Sequence, residues 1–504
     1  MNKELSEQIE KYEGFRNRIK ALNYVGNIIY WDASTVAPRD SYMERGERMS
    51  VIYKEHYDIR MSKEYIETVE YLSNHKEELD SDFNHEIELI VEDIENTKKI
   101  PVEEMLAYEK IVNEAIVKWE EAKNKDDLSI FLPSLKEIVK YKRKEIKYLE
   151  KENLKGYDVL LNNYEKGYTI KEYDKFFDRL KEELVPFVKK VLAINNNKYP
   201  FSEKAFNIEK QKEMQKYIAT VMCFDFNRGA MGETEHPFTW NTSSKNVRTT
   251  NHFYLNHFDY SIFSAIHELG HATYELNVDP KYDDTFIGGG ASMALHESQS
   301  RFYENIIGRS YEFWKNHYFK LQELFYEELK DVSLDEFYHF INNVQASFIR
   351  TEADELTYPL HIMLRYELEK KLMAGEIEVD MIEKEWNKLF KEYFGLDVPS
   401  PKYGVLQDSH WSDGSFGYFP TYALGSAIAS QLFDKMNEDF DVLKSLDSKT
   451  TLSINEWLKE HIHKYGSSKY SKEILEKAIQ GPFDAKHYIN YLINKYSKIY
   501  NVSK

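Results

Sequence analysis

Residues 259–276 read Asp-Tyr-Ser-Ile-Phe-Ser-Ala-Ile-His-Glu-Leu-Gly-His-Ala-Thr-Tyr-Glu-Leu. Ile262, Phe263, Ile266 and Leu269 recur at helical spacing, so the stretch predicts a largely buried helix. Asp259 stands where an N-cap would accept the first free amide. His267 and His271, at i and i+4, share one helix face, and both imidazoles can reach a single metal ion. Glu268, beside the first histidine, is placed to take a proton from water at that metal. The competing interpretation is a solvated polar face, which the apolar flanks disfavour: polar groups on a buried helix need partners, and a metal provides them. Gly270 costs about 1 kcal/mol relative to alanine inside a helix, which points to an element packed closely against it. The chemistry expected of such a helix is metal-assisted hydrolysis of an amide bond.

The surrounding composition narrows the class. The chain has 504 residues, 42% hydrophobic and 30% charged, enough for a large globular core. Glycine and proline, at 20 and 12, are sparse, which favours long helices over an all-β fold. A net charge of -19 disfavours nucleic acid and anionic membranes as partners. Cys223 is the single cysteine, so no intramolecular disulfide forms, and its apolar neighbours Val221, Met222 and Phe224 predict a buried thiol. The opening Met-Asn-Lys-Glu-Leu-Ser lacks the apolar stretch of a signal peptide. No segment approaches the roughly 20 apolar residues that cross a bilayer. A cytoplasmic enzyme is the expectation.

The sequence reads as one peptidase body over residues 1–504. Residues 1–200 form a helical N-terminal part, 201–258 a small β region and 259–504 a helical catalytic part. Amphipathic helices are expected at about 5–31, 41–75, 80–98, 101–123, 128–152 and 170–194. Between 222 and 258, Thr, Val and aromatic residues alternate with turn formers, which predicts a small antiparallel sheet just before the histidine-bearing helix. An edge strand there can hold a peptide by main-chain pairing.

Two histidines leave a zinc ion short of its usual three protein ligands. Position 277 is Asn, so a third histidine six residues on is excluded. A glutamate from the following helix is the other common solution. Ser292 can cap such a helix, and spacing favours Glu297, with Glu304 and His296 as competing ligands. Further on, Arg350, Asp354, Tyr358 and His361 recur at spacings of three and four, on one helix face if the segment is helical. A salt-bridged surface explains them equally well. The loop Gly404-Val-Leu-Gln-Asp-Ser-His-Trp-Ser-Asp-Gly-Ser-Phe-Gly-Tyr418 joins His410, Tyr418 and, shortly after, Tyr422. Neutral donors of this kind can steady an oxyanion.

Several of these segments together resemble the carboxypeptidase Taq family of metallopeptidases. The resemblance rests on His-Glu-Leu-Gly-His at 267–271, His-Glu-Ser-Gln at 296–299 and His-Pro-Phe at 236–238. Ile-Arg-Thr-Glu-Ala-Asp-Glu-Leu-Thr-Tyr at 349–358, His-Trp-Ser-Asp-Gly-Ser-Phe-Gly-Tyr-Phe-Pro-Thr-Tyr at 410–422 and Tyr-Trp-Asp-Ala-Ser-Thr at 30–35 extend it in family order. The resemblance implies a mostly α, clam- or saddle-like body with a deep groove, a homodimer, and removal of single residues from peptide C-termini with zinc or sometimes cobalt. It implies His267, His271 and Glu297 as metal ligands and Glu268 as general base. One departure is Asn246, which stands where the family's Asp-x-Arg-x-Thr segment begins with aspartate.

The expected mechanism has Glu268 shuttling the proton and Tyr418, with His410 or Tyr422, stabilising the oxyanion beside the metal. A free substrate carboxylate needs a cation, for which Arg350 ranks ahead of Arg248. His236, Pro237 and Phe238 would close the groove end and shape the terminal subsite. The rival interpretations are an endopeptidase or dipeptidyl peptidase on a similar scaffold and a non-catalytic peptide-binding relative. No Gly-Ala-Met-Glu-Asn segment for binding a free amine is present.

Overall fold

The computed structural model describes residues 3–503. Its first four long helices, Lys3–Thr35, Tyr42–Arg60, Lys63–Asn74 and Ser81–Lys99, enclose a core of their own. Leu5, Tyr12, Ile19, Tyr65, Leu72 and Ile87 belong to it. The span expected as one helix over 41–75 breaks at Met61–Ser62, because the Ser62 hydroxyl oxygen accepts the Tyr65 amide at 3.2 Å and starts a new helix. The span 170–194 runs on as helix but passes through a π-turn at Leu180–Leu184. Pro186 follows after Val185. Its ring cannot sit against a regular preceding turn, and the wider turn absorbs the misfit.

This N-terminal body joins the rest through buried polar contacts. Arg16 Nη1 donates to Glu86 Oε2 at 3.0 Å, Tyr12 donates to Glu86 Oε1 at 3.0 Å, and the amide of Phe286 donates to the same oxygen at 2.9 Å. A second, larger hydrophobic core runs from Ala115 to Tyr496 and encloses the histidine-bearing helix.

The sheet departs from expectation in one respect. It has three strands in the order β1 (Gly229–Glu233), β3 (Asn246–Asn251), β2 (Thr239–Ser243), and it is mixed rather than antiparallel. β2 and β3 are joined by the tight turn Ser244-Lys245 and run antiparallel. β1 lies on the far side of β3 and pairs with it in parallel. Pairing of β2 with β3 places Thr239 opposite Thr249 and Trp240 opposite Arg248, with a bulge between Asn241 and Ser243. β2 is an edge strand beside the histidine helix, as the sequence predicts.

That helix spans Phe258–Asn277. It starts one residue before Asp259, which therefore lies in the first turn, and His257 occupies the N-cap. The helix Met293–Arg301 packs across it, capped by the Ser292 hydroxyl oxygen, which accepts the Leu295 amide. Gly270 lies at this crossing. A Cβ there would come 2.7 Å from Ser300 Cα and 2.9 Å from Gln299 O. Cys223 is exposed, not buried: it follows the helix Ile208–Val221 with φ of 61°, in a turn that carries its side chain outward. Among the described residues no helix is long and apolar enough to cross a membrane.

Gly270→Ala is expected to destabilise the fold by about 1–3 kcal/mol, since backbone rather than a flexible side chain must yield. Gly14→Ala, on an exposed helix face with open space around it, is expected to be neutral or stabilising by up to about 1 kcal/mol. Denaturant melts of both variants check the contrast.

Candidate metal centre and active site

The crossing of the two helices brings His267, His271 and Glu297 together, with one ligand atom from each lying within 4.8 Å of the others. Glu297 Oε2 is 3.7 Å from His267 Nε2 and 3.6 Å from His271 Nε2. Two ligands about 2.1 Å from a tetrahedral metal lie roughly 3.4 Å apart, so the spacing fits one ion.

The outward-facing ring nitrogens explain why the Nε2 atoms point inward. His267 Nδ1 meets Glu304 Oε2 at 2.8 Å. His271 Nδ1 meets His296 Nδ1 at 2.5 Å, and His296 Nε2 meets Glu275 Oε1 at 2.7 Å. With His296 donating to Glu275 and accepting from His271, the lone pair of His271 falls on Nε2. A carboxylate on His267 has the same effect there. The competing ligand candidates Glu304 and His296 are thus one bond further out.

Arg301 binds both acids on this side, with Nε donating to Glu297 Oε1 at 2.7 Å and Nη1 to Glu304 Oε2 at 3.0 Å. Burial raises the Glu297 carboxyl, but the charges of Arg301 and His267 outweigh it and hold it below the usual carboxylate range. Burial, with His296 alongside, pushes His271 down to about 3, which keeps the imidazole neutral and able to ligate. The set of two imidazoles and one carboxylate suits zinc and related divalent ions.

Glu268 is held from the sheet. Thr239, the first residue of β2, donates to Glu268 Oε2 at 2.6 Å. Burial raises the Glu268 carboxyl above its ordinary value, toward the range useful to a base at neutral pH. Thr239 lies directly after His236-Pro-Phe238, and only tertiary structure reveals its partner. Of that tripeptide, His236 is exposed, Pro237 lines the groove, and Phe238 packs against Tyr30 and Trp31 with ring centroids 5.4 and 5.9 Å away.

A groove of about 1060 Å³ passes His267 and is lined by Pro237, Arg301, Glu304, Arg309, Arg350 and Tyr358, among others. Arg350, Asp354, Tyr358 and His361 do not share a helix face. Arg350 sits in a short 3-10 turn, and the helix Tyr358–Ala374 begins only at Tyr358, with Pro359 in its first turn. Arg350 is buried, with Nε and Nη2 donating to Asp408 Oδ1 at 3.0 and 2.9 Å and Nη1 donating to the Tyr358 hydroxyl at 3.2 Å. Asp408 also accepts Arg365 Nε at 2.7 Å. His361 is fully buried against Phe390 and Phe394, away from any groove lining.

Arg248 lies on β3. Its guanidinium lies between Trp31 and Trp240, 5.4 and 5.3 Å from the rings, and its Nε donates to Asn246 Oδ1 at 3.1 Å. Asn246 therefore retains the acceptor that orients Arg248, without the charge of an aspartate.

Tyr418, Tyr422 and His410 form one aromatic cluster. Tyr418 stands edge-on to Tyr422 with ring centroids 5.1 Å apart, and His410 Nε2 meets the Tyr422 hydroxyl at 3.3 Å. Burial, followed by the Glu297 charge, raises Tyr418, so its hydroxyl stays a donor. Burial pushes His410 down to about 4, against the pull of Asp408, so it is neutral at pH 7.

A family model described as carboxypeptidase Taq (M32) metallopeptidase matches residues 11–496. Carboxypeptidase 1 of Bacillus subtilis is 39% identical over 501 residues, covering 98% of this chain and 99% of the relative. Thermostable carboxypeptidase 1 of Pyrococcus furiosus is 32% identical over 506 residues, covering 98% and 99%. A solved carboxypeptidase structure from Pyrococcus furiosus superposes with a TM-score of 0.94 at 31% identity, covering 98% of this chain and 99% of that one. With a family match of this extent and relatives of this identity, the chain belongs to the carboxypeptidase Taq (M32) family of metallopeptidases.

Proposed function

We propose that this chain is a metallocarboxypeptidase that removes single amino acids from peptide C-termini, with zinc held by His267, His271 and Glu297 and cobalt as the alternative ion. The observation that carries the chemistry is the convergence of those three ligands beside Glu268, itself fixed by Thr239. Family membership supports the choice of substrate terminus. The same proposal takes the protein as a cytoplasmic homodimer and residues 1–504 as one peptidase body.

A bound zinc ion supplies Lewis-acid chemistry, lowering the pKa of water toward about 7 and polarising a carbonyl. Glu268 accepts the proton of the attacking water and afterwards delivers it to the leaving amine. The Thr239 hydroxyl keeps its carboxylate aimed while this happens. Tyr418 donates to the oxyanion, and Tyr422, linked to neutral His410, supports it from behind.

Arg350 is the cation for the substrate carboxylate, because it lines the groove beside His267, whereas the Arg248 guanidinium is engaged by Trp31 and Trp240. Asp408 occupies one edge of Arg350, while Nη1 has a single bond, to Tyr358, and retains an N–H for an incoming carboxylate. Pro237 lines the groove, its neighbour Phe238 packs against Trp31, and His236 is exposed.

Glu268→Gln is expected to retain metal and lose kcat by about 10²–10⁴-fold; metal analysis beside peptide turnover checks this, and a wild-type rate removes Glu268 from its role. Glu304→Gln is expected to weaken metal affinity about 10–100-fold, read by competition with a chelator. Arg350→Ala is expected to raise KM for free-acid peptides and leave C-terminally amidated ones unaffected, while Arg248→Ala changes this ratio less. A time-resolved digest followed by mass spectrometry is expected to show stepwise loss of single C-terminal residues; internal cuts would favour an endopeptidase.

A further inference from the structure

The segment 405–419 carries His410 and Tyr418 and has almost no regular backbone. Something outside the segment has to hold it. Beneath it lies Glu369, fully buried on the helix Tyr358–Ala374. Glu369 Oε1 accepts the indole N–H of Trp411 at 2.7 Å. Its Oε2 accepts the amide of Gly417 at 2.8 Å and the hydroxyl of Tyr157. Arg365, one turn earlier, gives its guanidinium to Asp408 instead. The carboxylate thus faces three donors, two from this segment and one from Tyr157. A buried acid is unfavourable without partners, and an ionised carboxylate, which only accepts, satisfies all three donors at once.

Two of those donors lie within the segment, each next to one of its site residues. Trp411 follows His410, and its indole stacks on Phe416 and stands edge-on to Trp386. Gly417 precedes Tyr418, with φ of +92°, and a Cβ there would come 2.7 Å from the backbone of Leu160. Leu160 lies in the short helix Asp158–Asn162, directly after the third donor, Tyr157. Tyr164, just beyond that helix, stands edge-on to Tyr418 at 5.0 Å. Glu369 therefore sits where the site loop docks on the N-terminal half of the chain.

We propose that Glu369 is a positioning residue for hydrolysis: by holding the Gly417 amide, the Trp411 indole and Tyr157 together, it sets the direction from which Tyr418 reaches the metal centre. The proposal rests on the assignment of Tyr418 as oxyanion donor. It concerns orientation in the transition state, so its signature is a loss of kcat without a rise in KM. Burial pushes the Glu369 carboxyl up to about 7, while the hydrogen bonds from Tyr157, Gly417 and Trp411 favour its ionised form.

The test uses the full-length, zinc-loaded enzyme and a free-acid peptide. Glu369→Gln turns an amide donor toward donors, and kcat is expected to fall about 10–100-fold with KM and zinc content unchanged. Tyr418→Phe is expected to fall as well, and the double variant no further than Tyr418→Phe alone, because both changes act through one hydroxyl. A wild-type kcat in Glu369→Gln, a raised KM, or losses that multiply in the double variant would overturn the proposal. If Tyr418→Phe alone turns over at the wild-type rate, the assignment of Tyr418 fails, and the role of Glu369 through it fails with it. If Tyr418→Phe is impaired but uncoupled to Glu369, only the present proposal falls. Should Glu369→Gln not fold, Tyr157→Phe removes a single donor; a several-fold loss of kcat that vanishes in the Tyr418→Phe background supports the proposal, and no loss overturns it.

Discussion

Gathering two imidazoles and a carboxylate at one buried point is unfavourable unless every polar atom facing away from that point finds a partner. Here the partners come from the same two helices that carry the ligands and from the π-helical segment Phe302–Ile307 that continues the second of them. Glu304 faces His267, His296 relays His271 to Glu275, and Arg301 lies between Glu297 and Glu304. Such an arrangement tolerates little change in the distance between the helices. Gly270 sets that distance by leaving room for the backbone of Ser300. The metal centre and the packing of the core are therefore one constraint, and the remaining groove elements attach around it.

The attachment is mostly polar and long-range. Glu275 reaches Asn241 on the sheet, and Thr239 reaches Glu268 from the same strand. Glu86 ties the N-terminal helices to Phe286, near the start of the glutamate helix. Asp408 joins Arg350, which lines the groove, to the buried Arg365. Glu275, Glu86 and Asp408 each gather donors from separate segments, an economical way to fix loops that lack regular hydrogen bonding of their own.

What the sequence made legible follows this division. Contacts within a helix were readable: the two histidines at i and i+4, the apolar stripe around them and the Ser292 cap all depend on local spacing. Contacts between segments were not. Thr239, Glu275 and Glu369 have ordinary neighbours in sequence, and only tertiary structure supplies their partners. The direction of β1 was hidden for the same reason, since strand order is not written in alternation. Some misses had a signal. Pro359 marks a helix start, so Arg350 could not share a helix with Tyr358, and Ser62 is a capping residue in mid-pattern. Cys223 is exposed because a left-handed turn ends its helix, which the apolar neighbours concealed.

The bulge between Asn241 and Ser243 acts as a phase shift in the sheet. Counted back from the tight turn, an unbulged β2 would set Trp240 opposite Thr249, on the face that meets the histidine helix, and turn Thr239 the other way. One additional residue restores the alternation: Thr239 faces Glu268, while Trp240 joins Arg248 and Trp31 on the opposite face. The length of this short hairpin is thus quantised. Residues can be added or removed there only in pairs if the acid is to keep its hydroxyl and the arginine its aromatic cover, so the orientation of the base depends on whether a count is odd or even.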